Sequence, residues 1–230
     1  MEPVLKLRAA VALLGQFPVL AGIDLEVSDG ERVLLEGPNG AGKTSLLRTC
    51  AGLIPVTSGT ALVLSCDLAT DRRSVRPLVG LLAHTTGLYD DLTPVENIRF
   101  WADACRADPD DAVAAMDRVA LATRLRSIPT SRLSTGQRRR VSLAAMIVRR
   151  PRLWLLDEPH AGLDADGRDL IDSLIGEAAA SGATVLFASH DLDRATSVAS
   201  RVVTIAGGVV TADTAAALPS GRPEGPGHVA

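Results

Sequence analysis

Short apolar runs separated by turn residues fill the start of the chain: Val4 to Leu7, Ala10 to Leu14, and Ile23 to Val27 ahead of Ser28-Asp29-Gly30. Runs of this length predict antiparallel strands and hairpins. Arg32 to Glu36 reads RVLLE, the continuous apolar run between glycines expected of a parallel strand buried on both faces. A helix is predicted from Gly42 to about Ala51. Residues 94 to 121 carry a helical pattern, with Pro94 in a first turn after Thr93 and Pro109 restarting it after Asp108. From 134 onward the pattern reads helix, strand (Leu153 to Asp157), helix (about 165–180), strand (Thr184 to Ala188), helix (191–199) and strand (Arg201 to Ala206). Alternation of this kind predicts an α/β fold with a mostly parallel sheet and helices on both faces. The Pro/Gly-rich tail from Leu218, LPSGRPEGPGHVA, is predicted to be disordered.

Composition narrows the class. The chain has 230 residues, 47% apolar but only 3% aromatic, so its core must be built mostly from Ala, Val and Leu. The mean hydropathy of +0.20 raises a membrane reading. That reading fails, because no stretch approaches the roughly 20 uninterrupted apolar residues of a spanning helix. The longest clean runs, such as Leu143 to Val148, suit a core helix or strand, and the N-terminal residues lack the shape of a secretion signal. A net charge of −3 gives no overall electrostatic footprint for nucleic acid. Cys50, Cys66 and Cys105 are widely spaced without a C-x-x-C pair and are expected to be reduced, buried, small apolar residues.

Two segments carry chemistry. Gly37-Pro38-Asn39-Gly40-Ala41-Gly42-Lys43-Thr44, followed by Ser45, matches G-x-x-x-x-G-K-[ST] directly after the RVLLE strand. Glycines let successive backbone N–H groups turn inward around a phosphate, and a helix N-terminus adds partial positive charge. Lys43 is placed to reach the β- and γ-phosphates, and the Thr44 hydroxyl to coordinate Mg²⁺. Leu153-Trp-Leu-Leu-Asp157-Glu158-Pro159 is an apolar strand ending in two carboxylates. At the carboxyl end of a parallel strand these belong to the ligand crevice. There Asp157 would hold Mg²⁺ through a water, and Glu158 would orient and deprotonate an attacking water.

Leu133-Ser134-Thr135-Gly136-Gln137-Arg138 resembles the L-S-G-G-Q signature of ABC ATPases. With Asp157-Glu158-Pro159, Ala161-Gly162-Leu163-Asp164 and Ser189-His190-Asp191 following in order, the chain resembles that family over about residues 1 to 210. The resemblance implies an ATP-hydrolysing subunit of a membrane transporter, peripheral on the cytoplasmic face, working with an integral membrane subunit and a second ATPase subunit, identical or sister. It also implies a P-loop ATPase core with an N-terminal antiparallel β subdomain and a helical signature subdomain at about 85–150. The ATP-binding domain would cover 1–213, with 214–230 a disordered tail. In the family pattern Ser134, Thr135, Gly136 and Gln137 cap the γ-phosphate of ATP held by the other subunit. Asp164 lies in the loop crossing the dimer, and His190 contacts the γ-phosphate and helps position the water. Arg138-Arg139-Arg140 is expected on the exposed face of the signature helix, and Arg149 and Arg150 at its C-terminus.

Three positions depart from the family pattern. Leu14, with Phe17 nearby, stands where an aromatic usually stacks on adenine. Thr135 replaces the third signature residue, a glycine. His84 replaces the γ-phosphate-sensing glutamine, and a neutral histidine can still donate to a water or a Mg²⁺ ligand. The His84 to Leu88 run resembles the haem-exporter ATPases of cytochrome c maturation, while Gly87 to Thr93 also resembles ATPases of drug or polymer exporters. A soluble ABC ATPase of DNA repair or translation would need a coiled-coil insertion or a second fused ATPase domain, and neither fits this length. A P-loop GTPase would leave the signature run unexplained, and no N-K-x-D segment is present.

Overall fold

A computed structural model describes residues 2–83 and 85–217. In chain order the elements are β1 (Leu5–Leu14), β2 (Phe17–Val27), β3 (Arg32–Glu36), α1 (Lys43–Cys50), β4 (Val56–Val63), β5 (Cys66–Asp67), α2 (Leu68–Asp71) and β6 (Val79–Leu82). They continue with α3 (Pro94–Cys105), α4 (Pro109–Arg118), α5 (Thr135–Ile147), β7 (Leu153–Asp157), α6 (Ala165–Ala180), β8 (Thr184–Ala188), α7 (Leu192–Val198), β9 (Arg201–Ala206) and β10 (Val209–Asp213). Among the described residues the strands form an antiparallel sheet ordered β2-β1-β4-β5 and a second sheet ordered β10-β9-β3-β8-β7-β6. The second sheet is parallel from β6 through β9, and only β10 runs antiparallel.

The continuous apolar strands are buried on both faces, and alternate residues serve two cores. Val33 and Leu35 of β3, Leu153 and Leu155 of β7, and Leu186 and Ala188 of β8 pack with α1 and the antiparallel sheet. Leu34, Trp154, Leu156, Val185 and Phe187 point the other way, into the core shared with α3, α4, α5 and α6. The period of two along a strand produces this division.

The break expected between Leu7 and Ala10 is a bulge inside one ten-residue strand. Pairing with β2 jumps from Leu7–Leu25 to Ala10–Ile23, and Ala9 takes φ 44° with its N–H donated to Asp24 Oδ1 at 3.0 Å. Gly59 crosses at that point, where a Cβ would lie 2.1 Å from the Ala9 carbonyl oxygen. β4, β5, β6 and β10 have no counterpart in the sequence expectations; most of β4 from Thr57 to Thr60 is exposed, which weakens its alternation.

The helices begin at strong caps. Thr93 and Glu96 close a capping box on α3, and Asp108 and Asp111 close one on α4. The chain continues past residue 213 into a 3-10 turn over Thr214–Ala217, anchored by Val202 N–H on Thr214 Oγ1 at 3.0 Å. Of the cysteines, only Cys50 matches the expected burial; Cys66 is half-buried and Cys105 is exposed. Burial in an apolar site pushes the Cys50 thiol up to about 12, so it stays protonated.

Candidate active site

Gly37 to Gly42 form the loop that joins β3 to α1, and Lys43, Thr44 and Ser45 open that helix. The loop backbone needs glycine at two close approaches: a Cβ at Gly37 (φ 140°) would sit 2.0 Å from the Ile205 carbonyl oxygen, and one at Gly42 (φ 110°) 2.7 Å from that of Val19. Gly42 caps α1 without any side-chain acceptor, and no acidic residue occupies the first turn. The N–H groups of that helix start are therefore left for a ligand. Lys43 is 8% exposed, and its Nζ donates to the Gly37 carbonyl at 2.5 Å and the Pro38 carbonyl at 3.0 Å. The ammonium is thereby held inside the curl of the loop.

The acidic pair arrives from β7, beside this loop. Thr44 Oγ1 donates to Asp157 Oδ1 at 3.0 Å, which sets a hydroxyl and a buried carboxylate side by side. Glu158 turns away from the strand with φ 51°, and its N–H donates to the Ala188 carbonyl at 2.9 Å. Its Oε2 accepts from the His190 backbone N–H at 3.1 Å, while Oε1 lies 3.4 Å from His190 Nε2. One cavity of about 570 Å³ is lined by Asn39 to Ser45, Asp157, Glu158 and His190. Together these supply backbone donors, an ammonium, a hydroxyl–carboxylate pair, a second carboxylate and an imidazole.

The signature segment lies elsewhere. Ser134 caps α5, accepting from Gln137 N–H at 3.3 Å, while Gln137 Oε1 accepts from Ser134 N–H at 2.9 Å. Asp164 caps α6, accepting from Gly167 N–H at 2.9 Å. Ser134, Thr135, Gly136, Gln137 and Asp164 line a second cavity of about 620 Å³ that shares no lining residue with the first. The sequence-expected residues thus separate into two groups on one chain. His84 lies outside the described residues.

Two expectations need correcting. Arg138, Arg139 and Arg140 do not form an exposed face. Arg139 is 5% exposed and donates to main-chain carbonyls, Arg138 reaches Asp90 at 2.5 Å, and Arg140 Nη1 donates to the Val119 carbonyl at 3.1 Å. The physical reason is helical spacing: Arg139 stands four and eight residues before Leu143 and Ile147, on the row that faces the core. Leu14 and Phe17 face each other at the exposed tip of the β1–β2 hairpin and do not line the first cavity. Pro18, Val19, Arg48 and the Gly207-Gly208 turn do. The Gly-Gly pair between apolar runs is a hairpin signal, but its place beside the loop could come only from the sheet. Arg149 follows the end of α5 as expected, but its side chain reaches across to the carbonyls of Arg76 and Val79 and lies 5.0 Å from the centre of the Trp101 ring.

Known proteins match this arrangement. The sequence profile of the ABC transporter family matches residues 20–161. The cytochrome c biogenesis ATP-binding export protein CcmA of Rhodopseudomonas palustris is 38% identical over 183 residues, 80% of this chain and 90% of that protein. Its counterpart in Vibrio cholerae is 34% identical, covering 81% and 91% of the two chains. The structure of cbiO1 from Clostridium perfringens, part of the ABC transporter complex cbiONQ, superposes with a TM-score of 0.79 at 26% identity, over 93% of this chain and 88% of that one. A dimeric ATP-binding cassette bound to ADP and phosphate shares the fold, with a TM-score of 0.83 at 23% identity over 91% and 97% of the chains.

Proposed function

The chain belongs to the ABC transporter family as an ATPase subunit coupled to transport, and we propose that it hydrolyses Mg·ATP between two subunits to drive haem export for cytochrome c maturation. The observation that carries the hydrolytic part is the convergence of Lys43, Thr44, Asp157, Glu158 and His190 on one cavity beside an uncapped helix start.

In this reading the N–H groups of residues 39 to 45 cradle the β-phosphate, and Lys43 leaves its two loop carbonyls to pair with the β- and γ-phosphates. The Thr44 hydroxyl and the Asp157 carboxylate, 3.0 Å apart, suit a Mg²⁺ ion that takes few protein oxygens and completes its shell with phosphate and water. When bound, the ion neutralises charge on the phosphates during transfer. Glu158, its carboxylate steadied by the His190 N–H, takes the proton of the attacking water. His190 stands beside that carboxylate to position the γ-phosphate.

The second cavity supports a two-subunit site. Ser134, Thr135 and Gly136 occupy a capped helix start that offers N–H donors, yet this cavity shares no residue with the phosphate loop. Each subunit therefore lends its signature to ATP held by a partner, either a second copy or a sister ATPase. Among the described residues no helix is long and apolar enough to cross a membrane, so the transport path belongs to an integral membrane subunit. The subunit works peripherally at the cytoplasmic face.

The cargo reading is supported by the relatives, which are ATP-binding export proteins of cytochrome c biogenesis. Deleting the gene and staining c-type cytochromes for covalent haem tests it. Loss of holocytochrome, restored by the intact gene and not by an E158Q copy, is expected. Normal holocytochrome with raised sensitivity to an exported drug would overturn the cargo.

A further inference from the structure

Arg139 sits in the second turn of α5, the helix whose start carries Ser134 to Gln137. Its Nε donates to the Pro159 carbonyl at 3.0 Å, and Nη2 to the carbonyls of Asp157, at 2.8 Å, and Glu158. One buried guanidinium thus holds three successive main-chain oxygens of the turn that aims the acidic pair. Burial pulls its pKa down, and the neighbouring carboxylates of Asp157 and Glu158 oppose that pull. A charge this deep is tolerated only when it is fully hydrogen-bonded, so the fork and the turn constrain each other.

Glu158 needs such a restraint. With φ 51° it occupies a left-handed conformation that non-glycine residues disfavour. Its N–H is tied to β8 through Ala188, and its carbonyl is tied to α5 through Arg139. The helix start is equally tight against the same loop. A Cβ at Gly136 would lie 3.0 Å from the Gly162 carbonyl oxygen, and Arg140 Nη2 stands 3.6 Å from Asp164 Oδ1. Signature segment, guanidinium and acidic turn therefore form one packed unit running from the second cavity to the first.

We propose that Arg139 is a positioning residue that aims Glu158 into the phosphate cavity and makes that aim depend on how Ser134 to Gln137 seat on the nucleotide of the partner subunit. This rests on the reading of Glu158 as the base and of the signature as a cap acting across the dimer. The planar fork transmits a helix shift to the peptide it grips, where a flexible ammonium with one point of contact would absorb it. Turnover at one ATP would then report the seating of the other.

The test uses the full-length chain as R139M and R139K, with E158Q as the reference. Calorimetry reads ATP affinity, gel filtration with ATP reads dimer closure, and phosphate release reads kcat. R139M is expected to bind ATP like the parent and, cleaving it slowly, to accumulate the closed dimer as E158Q does, while kcat falls on the order of 10²-fold, the cost of a misplaced catalytic group. R139K, which keeps the charge and loses the fork, falls between them. A kcat that drops only as far as folded or dimeric protein drops assigns Arg139 to stability alone and overturns the proposal. Should R139M fail to fold, parental kcat in folded R139K overturns it. An inactive E158Q beside fully active Arg139 variants defeats this proposal only, whereas an active E158Q defeats the reading beneath it.

Discussion

Replacing Glu158 with glutamine removes one proton acceptor and little else. The two side chains have nearly the same volume, and an amide oxygen can still accept the His190 N–H that now meets Oε2 at 3.1 Å. The backbone of residue 158 is held by Ala188 and Arg139 through main-chain atoms, which the substitution leaves in place. The phosphate loop, Lys43 and the Thr44–Asp157 pair are untouched. Folding and ATP affinity should therefore stay close to those of the parent. Loss of a general base costs about 10²- to 10⁴-fold in rate, which is about 2.7–5.4 kcal/mol at 1.36 kcal/mol per decade. ATP that binds and is not cleaved should hold the two subunits together. Phosphate release at saturating Mg·ATP measures the loss, and gel filtration with ATP should show a dimer that the parent forms only transiently. Near-parental turnover would refute the assignment of Glu158.

Lys43→Ala should abolish tight ATP binding, because Lys43 is the ammonium gathered into the loop; calorimetry with an unchanged affinity would contradict this. ATP and GTP should compete almost equally for the site, since no Phe, Tyr or Trp is among the described residues that line the phosphate cavity. A strong ATP preference in competition binding would count against that. Arg201 clamps Asp213 through two hydrogen bonds at 2.9 and 2.6 Å and, chiefly through these, holds its carboxyl below the usual carboxylate range. The folded value lies under the unfolded one of about 3.9. The contribution is therefore fully present above that pH and is lost as the pH falls through the folded value. Asp213→Asn should lower the melting temperature at neutral pH and flatten its decline below about pH 4, as read by circular dichroism.

Much of this protein is legible in one dimension because its main devices are local. A strand buried on both faces must be apolar at every position, so RVLLE and LWLLD announce themselves and their ends locate the crevice. The phosphate loop and the Ser134–Gln137 box each close within a few residues, and the chemistry of contiguous residue types is enough to recognise them. What depends on distant segments meeting is decided by the tertiary structure. His190 reaches Glu158 across 32 positions only because β7 and β8 pair in parallel register. The bulge at Ala9 follows from the crossing of Gly59, and the Gly207-Gly208 turn reaches the loop through the pairing of β9 with β3. Arg139 makes the distinction sharpest. Beside Arg138 and Arg140 it reads as one more solvated cation. Its helix presses it against the Asp157–Pro159 turn, where three successive main-chain carbonyls accept from its Nε and Nη2 and make burial tolerable. Composition sets which residues are able to do this, and only the packing of α5 on the end of β7 selects the one that does.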